Sequence, residues 1–254
     1  MKKFKEITMI KNNSIIGVLG YGEVGKAIAQ FYKQPLIKDR DRDDFAGKKL
    51  DVLHVCIPDS SGFGSIVGEN IKSTKAKLVI IHSTVAVGKT KKLFTKFKNV
   101  VHSPIRGIHP HLYDGIKMFV KYVGAENKPL GEKVARHLRS IGIKKVKVVA
   151  PSSTTEIGKL LDTTYYGLCI AYHAYANKLC KKVGADFAGA MTEFNSSYNE
   201  GYKKLGKKNV VRPVLYPPQD SKITGHCVVQ NAEILNKLFG SDEILKSIIR
   251  HKSK

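Results

Sequence analysis

Short apolar runs alternate with amphipathic stretches over roughly the first 150 residues, and the alternation predicts strands and helices in turn. Ile15 to Leu19 reads as a buried strand, and Ala27, Ile28 and Phe31 supply the apolar face of a helix after it. Pro35 to Lys38 predicts a short second strand ending at Asp39. Leu50 to Ile57 is nearly continuous apolar sequence, as expected of a strand covered on both faces, and Pro58 ends it. A helix over 63–73, a strand over Lys77–Ile81, a helix over Gly88–Phe97 and a strand over Asn99–His102 follow. Apolar segments at 118–123 and 146–149 flank a helix at about 129–140. This order predicts an α/β fold: a mostly parallel sheet with helices on both sides.

From Glu156 the pattern changes. Apolar and aromatic residues from Leu160 to Leu179 recur at three- and four-residue steps without proline, which predicts one helix over about 156–182, about 40 Å long. Ser153 and Thr154 can cap its start, and Gly184 stops it. It is amphipathic on more than one side, so a partner subunit or a later helix must cover it. A further helix is expected over Asp186–Lys203, an irregular loop over 209–227, and helices over Val229–Leu238 and Asp242–Arg250. The division predicted is 1–152 for the sheet domain and 153–254 for a mainly helical substrate and dimerisation domain.

The first strand runs into Gly20, Gly22 and Gly25, the G-x-G-x-x-G order of a dinucleotide-binding turn. Gly20 allows the tight turn, Gly22 lets backbone approach a pyrophosphate, and Gly25 lets the helix pack on the strand. This makes the sheet domain Rossmann-like, with Gly20, Tyr21, Gly22, Glu23, Val24 and Gly25 at the cofactor. Asp39 stands where a carboxylate binds an adenosine ribose, which favours NAD; Arg40 and Arg42 keep NADP open. Ligands of such sheets gather beyond the carboxyl ends of strands, so Pro58, Ser83, Thr84 and the His102-Ser-Pro loop should line one rim.

Composition narrows the class. With 42% hydrophobic and 26% charged residues the chain reads as soluble and folded, and its longest apolar runs are too short for a membrane span. The basic start lacks a signal-peptide apolar segment, so a cytoplasmic location is the default. Lys and Arg outnumber Asp and Glu by 44 to 21 and give a net charge of +23. That charge can attract nucleic acid, an anionic surface or phosphorylated small molecules. The lysines are spread, however, without aromatic-basic alternation, which favours an anionic small-molecule substrate over nucleic acid. Cys56, Cys169, Cys180 and Cys227 form no metal-ligand doublets, and only Cys227 sits among polar residues and glycine.

Lys159, early in the long helix, can donate to a substrate oxygen or receive its proton. Cys227, beside His226 in a Gly-containing loop, can act as a nucleophile, as a pocket residue or as a structural thiol. His102, His109, His111 and His226 permit metal ligation. The simpler expectation is that these histidines, His109, His111 and His226 foremost, contact an anionic substrate together with Arg106, and no metal is assigned.

Gly20-Tyr-Gly-Glu-Val-Gly25, His82-Ser-Thr-Val-Ala-Val-Gly-Lys-Thr90, Ser103-Pro104, Glu156-Ile-Gly-Lys159, the long helix and Gly225-His-Cys227 together resemble the UDP-glucose/GDP-mannose dehydrogenase family. That family is a branch of the 6-phosphogluconate and hydroxyacid dehydrogenase group, and the resemblance covers nearly the whole chain. It implies that NAD oxidises a nucleotide-sugar alcohol twice, with Cys227 capturing the aldehyde, Lys159 stabilising oxyanions, Thr84 close to the nicotinamide, and the long helix forming a homodimer core. The chain departs from the pattern at Ile105 for a glutamate, Thr163 for an asparagine at the substrate, and Asn231 for an aspartate, and the usual third domain has no counterpart. The expectation is an NAD(P)-dependent oxidoreductase taking hydride from an alcohol of an anionic or sugar-like substrate. A full nucleotide-sugar dehydrogenase using Cys227, a non-catalytic dinucleotide-binding protein and a histidine-rich metal-assisted activity are the alternatives.

Overall fold

The computed structural model describes residues 14–108, 110–217, 223 and 226–252, the side chain of His226 excepted. Cα packing divides the chain into two compact units, the first ending at Lys159 and the second beginning at Leu160.

The first unit is built on an eight-stranded sheet. Its elements are β1 (Ile16–Leu19), α1 (Glu23–Ala29), β2 (Leu36–Asp39), β3 (Arg42–Asp43), β4 (Val52–Val55), α2 (Phe63–Thr74), β5 (Leu78–Ile81) and α3 (Lys89–Phe97). Then come β6 (Val100–His102), α4 (Leu112–Met118), β7 (Lys121–Gly124), α5 (Lys128–Ser140) and β8 (Val146–Val149). The spatial order is β3-β2-β1-β4-β5-β6-β7-β8. Strands β2, β1, β4, β5 and β6 pair in parallel, β7 turns antiparallel to β6, and β8 runs parallel to β7. The expected mostly parallel, Rossmann-like sheet is present.

Alternation along each strand sets the two cores, because successive side chains face opposite ways. Val18, Val52, Ile80 and Val123 pack in one core with Ile28, Ile116 and Leu138 from α1, α4 and α5. Leu19, Leu53, Val55, Val79 and Ile81 join Phe63, Val67 and Leu93 from α2 and α3 in the other. The chain leaves β1 towards β2 on one side and returns to β4 on the other, so a crevice opens beyond the carboxyl ends of β1 and β4.

Helix α6 (Ser153–Val183) is longer than expected from 156–182, at 31 residues. It ends where Gly184 takes φ +71° and Ala185 donates to the Cys180 carbonyl. The second unit continues through a π-helical segment, Ala188–Glu193, into α7 (Phe194–Lys204), then α8 (His226–Phe239) and α9 (Glu243–Ile249). Gly167 faces Val228, where a Cβ would meet the valine at 2.4 Å, so α8 lies tight against α6. Val228, Val229, Ala232 and Ile248 form the core of this unit.

Two sequence expectations change. Cys227 belongs to the first turn of α8 rather than to a loop, because the buried face Val228, Val229, Ala232 and Leu235 begins directly after it. Helix α4 was not expected. Its short face of Leu112, Gly115 and Ile116 is buried, and Gly115 packs against Gly107. Among the described residues no helix is long and apolar enough to cross a membrane.

Candidate active site

The glycine turn joins β1 to α1 at the crevice. Gly20 has φ +90°, and a Cβ there would meet the Cys56–Ile57 backbone at 2.9 Å. At Gly25 a Cβ would lie 1.9 Å from the Gly20 carbonyl oxygen, so only glycine lets α1 close on the turn. At Gly22 a Cβ would meet nothing within 4 Å. The space above Gly22 is therefore open, and Gly22 and Glu23 are exposed. The first N–H groups of α1 have no intrahelical acceptors and face the same end.

Asp39, at the tip of β2, holds this turn from the side. Its carboxylate accepts from the backbone N–H of Tyr21 at 2.5 Å and of Arg40 at 2.8 Å. Those two backbone bonds, that of Arg40 first, hold its carboxyl below the usual aspartate range. Arg40 is exposed, whereas the Arg42 guanidinium is paired with Asp44 at 2.6 Å.

The neighbouring rim loops are tied together. Ser83 donates its hydroxyl hydrogen to the Ile57 carbonyl at 2.6 Å, and Thr84 beside it is half-buried. Asp59, next to exposed Pro58, accepts from the Ala86 N–H at 2.8 Å and pairs with Lys89. Glu156, wholly buried at the foot of α6, accepts from the N–H groups of Gly88 at 2.6 Å and Thr90 at 2.8 Å, where α3 begins. One carboxylate thus fixes the first turns of two helices. Lys159 lies one turn further along α6 and is half-buried. His102 is buried between Thr155 Oγ1 at 2.8 Å and the Ser83 carbonyl at 3.1 Å. Its pKa falls to about 3, chiefly through desolvation.

Below the rim lies a polar chain that sequence reasoning missed. Lys121, 2% exposed, approaches the carbonyls of Ser103 at 2.5 Å and Pro104 at 2.9 Å, and His82 Nδ1 at 3.1 Å. His82 Nε2 meets His54 Nδ1 at 2.9 Å. Tyr32 Oη bridges His54 Nε2 at 2.7 Å and His137 Nε2 at 2.8 Å. Burial holds the lysine and the imidazoles well below their ordinary pKa values, His137 at about 4, and pushes the Tyr32 phenol up. The signal available in sequence was a histidine inside the doubly covered run 50–57 and a lysine inside the apolar run 118–123.

Arg106 lies 5.8 Å from the ring centres of both Phe119 and Tyr122. His111 is exposed at the start of α4, and His109 lies outside the described residues. Ile105 is buried in the first core, where a carboxylate would have no water. In the second unit Thr163 is half-buried, Cys227 is exposed, and Asn231 is buried. His226 contributes only backbone to the described structure. Among the described residues no three His, Cys, Asp or Glu side chains gather as a metal site.

No family model and no curated protein matches the sequence. Solved structures do match in shape. The UDP-D-ManNAc dehydrogenase of Pyrococcus horikoshii superposes with TM-score 0.70 at 17% identity, over 93% of this chain and 68% of its own. The NDP-N-acetyl-D-galactosaminuronic acid dehydrogenase of Methanosarcina mazei gives 0.66 at 17% identity, over 94% and 66%. The 3-hydroxyisobutyrate dehydrogenase of Mycobacterium tuberculosis gives 0.61 at 13% identity, over 93% and 91%. What they share with this chain is the fold. The chain spans about two thirds of the length of the two sugar-nucleotide enzymes.

Proposed function

We propose that the protein is an NAD-dependent dehydrogenase acting on an alcohol of an anionic, sugar-nucleotide-like substrate. The observation that carries this reading is the glycine turn at the crevice between β1 and β4, open above Gly22 and flanked by the Asp39 carboxylate. A diphosphate fits over Gly22 against the α1 amides, and Asp39 suits ribose hydroxyls better than a 2′-phosphate. The pairing of Arg42 with Asp44 supports NAD over NADP. The shared fold of three dehydrogenases supports the reaction class.

The cofactor supplies the hydride acceptor. Lys159 holds the substrate oxygen and takes its proton as the carbonyl forms, and Thr84 bounds the site on the β5 side. Arg106, His109, His111, Thr163 and His226 bind the anionic remainder of the substrate, and the exposed apolar residues of α6, among them Tyr165, Tyr172 and Val183, pack in a homodimer.

Calorimetry with NAD and NADP tests the cofactor. NAD should bind more tightly, and Asp39→Ala should weaken it about 10- to 100-fold, the range of hydrogen bonds to a charged group. Asp39→Asn keeps an acceptor for Tyr21 and separates loss of charge from disturbance of the turn. Binding of neither nucleotide at millimolar concentration would sink the proposal.

Turnover with UDP-sugars and hydroxy acids, read by nicotinamide absorbance, then tests the reaction. With Ile105 and Asn231 in place of two carboxylates, one NADH per substrate is expected, with Cys227→Ala within about 5-fold of the parent. Two NADH per substrate, abolished in that variant, would instead establish covalent catalysis through Cys227, whose exposure at the start of α8 favours that second reading.

A further inference from the structure

The buried chain Lys121–His82–His54–Tyr32–His137 crosses the apolar core between the sheet and α5, where five linked polar side chains have no packing role that leucines would not serve better. Its hydrogen-bonding inventory admits two complete arrangements. In the first, a neutral Lys121 donates two hydrogens to the Ser103 and Pro104 carbonyls and accepts from His82 Nδ1–H. His54 Nδ1–H then donates to His82 Nε2, the Tyr32 hydroxyl to His54 Nε2, and His137 Nε2–H to the Tyr32 oxygen. His137 Nδ1 is left bare, and it is a buried nitrogen without a partner.

In the second, every hydrogen sits one link over. An ammonium at Lys121 donates its third hydrogen to His82 Nδ1, His82 Nε2–H to His54 Nδ1, His54 Nε2–H to Tyr32, the Tyr32 hydroxyl to His137 Nε2, and His137 Nδ1 carries a hydrogen. The two arrangements differ by one proton. In the first arrangement the one His82 Nδ1 hydrogen is shared between Lys121 Nζ at 3.1 Å and the Ser103 carbonyl at 2.8 Å, whereas in the second a bare Nδ1 would face that carbonyl with no hydrogen between them, so the first is the resting state. The rings of His54 and His82 lie within 12° of parallel, which keeps the shared hydrogen in both ring planes.

We propose that this chain is a proton relay between Lys121, under the rim, and His137, buried in α5. A proton on Lys121 moves to His82 Nδ1 as His82 Nε2–H passes to His54, His54 Nε2–H to Tyr32, and the Tyr32 hydroxyl hydrogen to His137 Nε2, and the His137 Nδ1 hydrogen leaves when water reaches that buried nitrogen. Each group ends neutral, and one proton has left. His137 lies one layer beneath exposed Arg136, Arg139 and Ser140, and Tyr32 itself is only partly buried. The other titratable groups whose charge reaches the chain are Cys56 at the end of β4, His102 on β6 and Lys159 on α6. Burial holds Lys121 well below the ordinary lysine value, and Cys56, pushed up to about 12, supplies no counter-charge in the physiological range to offset it.

The test uses the full chain, without cofactor, labelled with 15N-histidine. Between pH 9 and the onset of acid unfolding, His54 and His82 should change from Nδ1–H to Nε2–H and His137 from Nε2–H to Nδ1–H, with a single shared midpoint. Tyr32→Phe removes only the bridging hydroxyl and should abolish the shared midpoint; Lys121→Met removes the terminal acceptor and should freeze the resting tautomers, which keeps the test available if one variant does not fold. Fixed tautomers in the parent, separate midpoints, or a shared midpoint surviving in Tyr32→Phe would each overturn the relay. Because no nicotinamide is present, the relay stands or falls apart from the cofactor titration.

Discussion

Lowering the pH from 8 to 5 should remove on the order of 5–8 kcal/mol of stability, enough to unfold a typical domain at room temperature. His54, His82, His102 and His137 are all held below the ordinary histidine value by burial in the first unit. The folded chain therefore keeps them neutral while the unfolded chain takes up protons. Their contribution is complete above the unfolded value of about 6.5 and is lost as the pH falls below it, at about 2 kcal/mol per histidine by pH 5. The loss levels off only near about 4 for His137 and about 3 for His102. Lys121, also depressed by burial, acts in the same direction at higher pH, from its unfolded value down to its folded one. Urea unfolding at pH 8, 6.5 and 5 reads this directly, and a midpoint that stays level across the series would mean that these imidazoles are not enclosed in the native state.

Gly25→Ala and Gly22→Ala should part company completely, although both add one methyl to the same turn. The new Cβ at position 25 would lie 1.9 Å from a backbone carbonyl oxygen and 2.9 Å from its carbon, atoms that move only if α1 moves. A cost of ~3 kcal/mol is expected, as for overpacking against rigid neighbours, with a fall in melting temperature of roughly 5–12 °C. At position 22 the methyl would enter open space, and stability should stay within ~0.5 kcal/mol. Yet that methyl occupies the space a diphosphate would need, so NAD affinity should fall at least ~100-fold, about 2.7 kcal/mol. Thermal melts and calorimetry on the pair measure both quantities. Undiminished binding by Gly22→Ala would place the diphosphate elsewhere.

The glycine turn and the strands around it were legible because each is local: a run of apolar residues, a glycine at a turn, a period of two or of 3.6. Asp39 was readable for the same reason, at a fixed distance beyond the turn. Asp59, Glu156 and Lys121 were not, because each matters through distant partners: Ala86 is 27 positions from Asp59, Gly88 is 68 from Glu156, and His82 is 39 from Lys121. The histidine chain was hidden by its own setting, since His54 and Lys121 sit in runs whose apolar neighbours dominate any pattern. Cys227 was placed in a loop because prolines and glycine precede it, whereas the burial of Val228 and Val229 draws it into α8. Helix α4 is too short for its period to stand out.

The carboxylates of Asp59 and Glu156 lock the β4 and β5 loops and the foot of α6 to one another before any ligand arrives. A nucleotide entering over Gly22 would find a seat already set, with little loop entropy to surrender. Amide exchange at Gly88 and Thr90 should then be slow in the free protein and change little on saturation, the mark of a lock that receives its key without reshaping.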